Sequence, residues 1–311
     1  MVEDNQIKAQ VSPFAIREGE IKTFDGKDGY VSMNQIVHKI NIGHINEIHF
    51  AILELVNEFE FITSRQLYQM LEIKGIDPKS QDKLNNKLDQ LVKSKILTRY
   101  YFTSDEGKGI YRIYCLEKMG KYLLNSKEIE CKWQPSDNTK PVPMIKKRLA
   151  GNQTIIAYLR KVKAFDSYIV KPAITAKSAG KLFKATGGAV KLTKNGKSIQ
   201  FVFEVIRREQ DWQKKLVEKM RLYKDFYENF VPGDSGFNGM PQLILICEDE
   251  KHMAECFKEI VKNQVEIPQI KLYFSTDLRQ NEETLENTLV DFKLVDGKYK
   301  MENVELKLLG I

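Results

Sequence analysis

No apolar run in this sequence approaches the roughly 18 residues that cross a bilayer, and its opening MVEDNQIKAQ lacks the basic and apolar blocks of an export signal. No lipidation signal or basic amphipathic terminus stands out, so a membrane partner is not expected and a cytoplasmic location is. The four cysteines, Cys115, Cys131, Cys247 and Cys256, form no CxxC pair, which speaks against a disulfide framework or a zinc ribbon. The four histidines include neither HxH nor HExxH. No metal ligand set and no cofactor are therefore expected.

Charge is abundant but unevenly placed. Residues 140–232 carry 21 Lys+Arg against 7 Asp+Glu, whereas residues 1–139 carry 19 against 20 and residues 233–311 carry 9 against 15. A basic centre between a neutral and an acidic segment points to a polyanion partner, and nucleic acid is the expected one.

Apolar spacing predicts a helix over 47–58, a second opened by Thr63 and ended near Gly75, and a third from Asp77-Pro78 to about Lys93. In the third, Leu84, Leu88, Leu91 and Val92 form a buried stripe. The opposite face carries Lys79, Lys83, Asn86, Gln90 and Lys93, residue types that contact phosphates and base edges, with Asp82 and Asp89 as unfavourable neighbours. Strands over 96–103 and 109–116 follow, joined by the turn-rich 104–108, and Arg99, Lys108 and Arg112 are placed to reach a DNA backbone. This order is that of a winged helix-turn-helix over 45–133, preceded by an extension, 1–44, and followed by a polar, proline-containing linker, 134–143.

Residues 144–311 alternate helices and strands: a helix over 146–161, a hairpin around Asn195-Gly196, a long helix over 210–229, a strand at 241–247, a helix over 249–263, a strand at 269–274, and a hairpin around Asp296-Gly297. That order predicts a restriction-endonuclease-like α/β domain, so the fold class expected is α+β followed by α/β. Metal-dependent cleavage in such a core uses an Asp and then (Asp/Glu)-x-Lys. Glu204 stands at the second carboxylate, but Ile206 occupies the lysine position. Cleavage is not expected; were it present, Glu204 would be the catalytic carboxylate, with Asp166 or Asp211 as substitutes for the first and Mg²⁺ as cofactor. Arg207, Arg208, Lys214, Lys215, Lys219 and Lys224 are expected to contact phosphates, while Tyr223, Phe226 and Phe230 share a helical stripe that more often packs as core. A phenolic nucleophile lacks a supporting histidine or arginine cluster. Tyr100-Tyr101 is the one suggestive pair.

The run Arg148-Leu149-Ala150-Gly151-Asn152-Gln153, the strand-to-helix run Phe203-Glu204-Val205-Ile206-Arg207-Arg208, and Lys215-Leu216 with Lys219 and Tyr223 resemble motifs of the replication-relaxation proteins of bacterial plasmids and integrative elements. The resemblance covers about 45–278. Where the family shows Pro-Asp-Ala before the hairpin, this chain has Gly187-Gly188-Ala189. It implies a DNA-binding role in plasmid replication or mobilisation. Double-stranded DNA is the expected partner, with replication or mobilisation proteins beside it; homodimerisation stays open.

Overall fold

The computed structural model describes residues 12–105, 107–282, 288–295 and 298–304. The described chain is a mixed α/β fold. Its amino-terminal elements are β1 (Ile21–Phe24), α1 (Met33–Asn41), α2 (Glu47–Phe59), β2 (Ile62–Thr63), α3 (Ser64–Ile73), α4 (Gln81–Lys93), β3 (Leu97–Ser104), β4 (Gly107–Leu116) and α5 (Lys118–Ser126). Local chemistry sets their starts. Ser32 and Thr63 each close a reciprocal cap with a glutamine three residues on, Gln35 and Gln66. The third expected helix begins later than Pro78, because Lys79 adopts φ 68° and Ser80 supplies the cap.

The strands of this part form a sheet in the order β1-β3-β4-β2, all antiparallel. Thus residues 1–44 contribute β1, paired with β3 from Ile21 opposite Thr103, and α1, whose Ile36 is buried. The stretch expected as a linker holds a 3₁₀ turn, Pro135–Thr139. Its buried Asn138 donates to the Leu116 carbonyl.

The remaining elements are α6 (Val142–Lys161), β5 (Phe165–Ile169), β6 (Ala173–Ala176), β7 (Lys181–Lys184), β8 (Gly188–Lys194), β9 (Lys197–Val205), α7 (Trp212–Glu228), β10 (Gln242–Cys247), α8 (Glu250–Lys262), β11 (Tyr273–Thr276), α9 (Asp277–Glu282), β12 (Leu289–Val295) and β13 (Lys298–Val304). Seven strands order as β13-β12-β11-β10-β9-β8-β5; β9, β10 and β11 are mutually parallel and the other neighbours antiparallel, while β6 and β7 pair separately. Asn195 and Gly196, both at positive φ, make the two-residue turn between Lys194 and Lys197. The turn expected at Asp296-Gly297 lies outside the described residues, although β12 and β13 pair on either side of it.

Helix α6 joins the two halves of the molecule. One hydrophobic cluster runs from α2, α3 and α4 through Leu149, Ile155 and Tyr158 of α6 to Phe201 and Phe203 of β9, and a second lies on the opposite sheet face beneath α7 and α8. Polar groups lock the junction: buried Asn152 donates to the carbonyls of Phe59 and Phe61, and buried Gln66 donates to that of Leu149 at 2.7 Å. Gly151 lies so close to the strand below that a Cβ there would stand 2.7 Å from the Gly187 Cα.

Candidate nucleic-acid interface

On α4, Lys83, Asn86 and Lys93 are exposed, beside half-buried Lys87. Their neighbours are less available. Gln90 Oε1 accepts from His49 Nε2 at 3.1 Å, and Lys79 lies ahead of the helix, bonded to Asp77 at 2.8 Å. Arg99 bridges Asp89 and Asp25, the latter at 2.9 Å, and Arg112 also reaches Asp25 at 3.1 Å. The Asp89 carboxylate that seemed unfavourable beside phosphates is thereby neutralised internally. The side chain of Lys108 lies outside the described residues.

The basic centre is met by carboxylates from the rest of the chain. At least 11 of its 21 cations are ion-paired, many with partners outside residues 140–232. Glu60 alone takes Lys140, Lys171 and Arg148. Arg207 is fully buried, donating to both oxygens of Asp277 at 2.8 and 2.9 Å, where no phosphate reaches it. Arg208 is held by Asp249, Glu248 and Glu255, and Lys215 by Glu209 at 2.8 Å. Lys224 points to the Gln264 carbonyl at 3.5 Å. Lys214 and Arg221 remain exposed on α7. Tyr223 and Phe226 are buried, as their stripe suggested, with Tyr227 beside them, while Phe230 of the same stripe is only partly buried.

Glu204 is 4% exposed and enclosed by donors: Thr186 Oγ1 and Tyr223 OH at 2.8 Å and Thr186 N at 3.3 Å, with Lys219 Nζ at 3.6 Å. A lysine thus approaches this carboxylate from α7, not from two residues along the strand. Asp166 is exposed and bound to Lys191 and Thr193, and Asp211 is exposed ahead of α7. Among the described residues no group of three or more metal-ligating side chains includes Glu204.

The fold does gather Cys247, His252 and Cys256, whose donor atoms lie within 4.8 Å of one another, all buried. The cysteine sulfurs are 3.8 Å apart, and His252 accepts from the Glu248 N–H while its ring meets Trp212 edge-on. No fourth donor completes that set among the described residues. Burial, reinforced by Arg208 and Arg207, holds the imidazole neutral, with its pKa pushed down to about 3. The unfolded chain takes up this proton from about pH 6.5 downward and the folded chain does not, so stability falls on acidification through that window. The urea midpoint of His252→Gln is expected to lose this part of the acid dependence, worth on the order of 1 kcal/mol per pH unit between about pH 6 and 4. An unchanged slope contradicts a neutral buried His252.

A cleft of roughly 1130 Å³ lies between the amino-terminal elements and the α6–α9 pair. Arg65 and Gln69 come from α3, Gln81 and Asn85 from α4, Tyr101, Tyr111, Arg112 and Tyr114 from the hairpin, Gln153, Arg160 and Lys161 from α6, and Pro13 and Phe14 from the segment before β1. Among the described residues, no Asp or Glu lines it. Apart from Arg112, none of these residues was anticipated as a binding residue. With Leu278 and Asn281 of α9 they come from six separated stretches, and no local motif marks them.

Ser12–Ile16 closes one end of this region. Ser12 donates to Asp277, Tyr111 OH to the Pro13 carbonyl at 2.9 Å, Lys146 to the Ala15 carbonyl, and Ile16 N to Glu248 at 3.2 Å. Lys146 is itself buried and ion-paired with Glu20 at 2.5 Å.

A family model described as replication-relaxation matches residues 53–237, from α2 to just beyond α7. No curated protein and no solved structure matches the chain. No helix among the described residues is long and apolar enough to cross a membrane.

Proposed function

The chain belongs to the replication-relaxation family, and from that premise we propose that it is a DNA-binding protein acting in replication or mobilisation of a plasmid or mobile element. The observation that carries this reading is the face of α4. Lys83, Asn86 and Lys93 stand exposed and make no ion pair among the described residues, while Leu84, Leu88, Leu91 and Val92 bury the other side. Three helices, α2 to α4, followed by the β3–β4 hairpin support reading this part as a winged helix-turn-helix, with α4 in the major groove and the hairpin on the backbone. The order α6, antiparallel β5-β8-β9, α7, then β10 parallel to β9 supports a restriction-endonuclease-like core behind it. That core would bring Lys214 and the other exposed α7 cations to phosphates and need no metal.

Fluorescence anisotropy on duplex DNA tests this. Lys83→Glu with Lys93→Glu is expected to weaken binding to every sequence at least ~10-fold and to flatten the salt dependence by about 2 in log–log slope. Asn86→Ala should narrow the difference between preferred and random sequences. If the charge-reversed protein binds duplex as the parent does, α4 is not the DNA-reading helix.

The second reading, a Mg²⁺-dependent endonuclease or relaxase using Glu204, has Lys219 in its favour. Against it, Glu204 is already engaged by Thr186 and Tyr223, and Gly188 stands where the partner carboxylate belongs.

A further inference from the structure

A cleft with no carboxylate among its described lining residues is unusual in this chain, which carries 42 Asp and Glu among 311 residues. Two of its cations, Arg65 and Arg160, are exposed and have no side-chain partner among the described residues, whereas Arg112 in the same lining is paired with Asp25. A polyanion is the ligand that this charge selects.

Shape and surface chemistry narrow the choice. About 1130 Å³ suits a ligand of a few linked rings, near the upper range of small-molecule sites, and is far too small to enclose a duplex. Tyr101 lines the hairpin wall beside Tyr111, whose ring packs edge-on against Phe14 and Phe102 and whose hydroxyl donates to the Pro13 carbonyl. Amides line the walls in pairs: Gln153 donates to Gln69 and Gln81 to Asn85, both at 3.2 Å. Such amide pairs can exchange partners with base edges exposed by unstacking. Cations that follow a backbone, rings that stack on bases and amides that meet base edges are together the features of a single-strand site.

We propose that this cleft binds one unpaired DNA strand. The inference rests on the DNA-binding reading above, because α4 contributes Gln81 and Asn85 to the cleft and Lys83 and Asn86 to its own exposed face. A strand separated from a duplex on α4 therefore has a path into the cleft within one helix. The protein then favours a junction between paired and unpaired DNA over either alone.

The test uses the full chain with fluorescein-labelled oligo(dT) of roughly 12 nucleotides, a duplex of equal length and a forked junction. Arg65→Glu with Arg160→Glu is expected to weaken oligo(dT) binding at least ~10-fold while leaving duplex affinity within about 2-fold; Lys83→Glu with Lys93→Glu does the reverse. Both Arg65 and Arg160 are exposed on helices, so the variant should melt as the parent does. Photocrosslinking of an oligonucleotide carrying 5-iododeoxyuridine should label peptides containing Tyr101 or Tyr111. The proposal is overturned if the parent binds duplex but not oligo(dT), if the Arg65/Arg160 variant retains oligo(dT) binding, or if crosslinks map elsewhere. Failure to bind any of the three DNAs overturns the DNA-binding reading as well.

Discussion

Asp277→Ala is expected to destabilise the protein by about 3–5 kcal/mol, lowering the midpoint of thermal unfolding by roughly 10 °C. The cause is the partner left behind. Arg207 has no exposed surface, and its fork is shared between Asp277 and the carbonyls of Ile206 and Ile246. Without Asp277 a guanidinium charge stays in the interior at the ends of β9 and β11, and Ser12 loses its acceptor too. Replacing both partners by apolar residues, Arg207→Met with Asp277→Leu, should recover much of the loss, because no uncompensated charge remains. A midpoint for Asp277→Ala within about 2 °C of the parent would show that the pair is not the buried anchor described here.

Gly188→Asp, which restores the carboxylate seen in the family's Pro-Asp-Ala, should cost several kcal/mol and yield no nuclease. Gly188 sits at φ 89°, and a Cβ there would lie 2.7 Å from Ile155 Cδ1 and 3.0 Å from the Ile169 carbonyl oxygen. Its neighbour is equally committed: Gly187 N donates to the Phe203 carbonyl at 2.9 Å, a bond proline cannot make, and a Cβ on Gly187 would stand 2.6 Å from that of Phe203. Here α6 packs on the strand ends through bare backbone at Gly151 and Gly187. On the restriction-endonuclease-like reading proposed above, the position of the first carboxylate is taken by packing contacts. Thermal melting together with plasmid nicking in Mg²⁺ or Mn²⁺ checks this. A well-folded Gly188→Asp protein that nicks DNA, and loses the activity on Glu204→Gln, would favour the endonuclease reading instead.

The elements legible in the sequence were those specified by neighbours in the chain. Thr63 and its glutamine three residues on, the apolar stripe of α4 and the Asn195-Gly196 turn each act over a few residues, and the cap, the buried stripe and the turn are where they were expected, although α4 itself begins at Gln81 and not at Asp77-Pro78. Helix α1 was missed although Ser32 and Gln35 carry the same capping signature as Thr63 and Gln66. Strands β1, β6 and β7 have four residues each, too few for period-two alternation to rise above chance, and β1 exists only because β3 offers it an edge.

For the binding residues the limit was different in kind. Composition determined that the centre of this chain is basic, local spacing determined that α4 has a polar face, and short motifs resembled those of a family that implies DNA as the partner. Only the tertiary structure decided which of those charges face outward. Arg207 meets Asp277 and Arg208 meets Asp249 across 70 and 41 residues of sequence, and Lys171 meets Glu60 across more than 100. The same folding assembled, from six stretches, a cleft with no carboxylate among its described lining residues. Periodicity and capping are short-range and can be read along a chain, whereas charge pairing and enclosure depend on which distant segments are brought together.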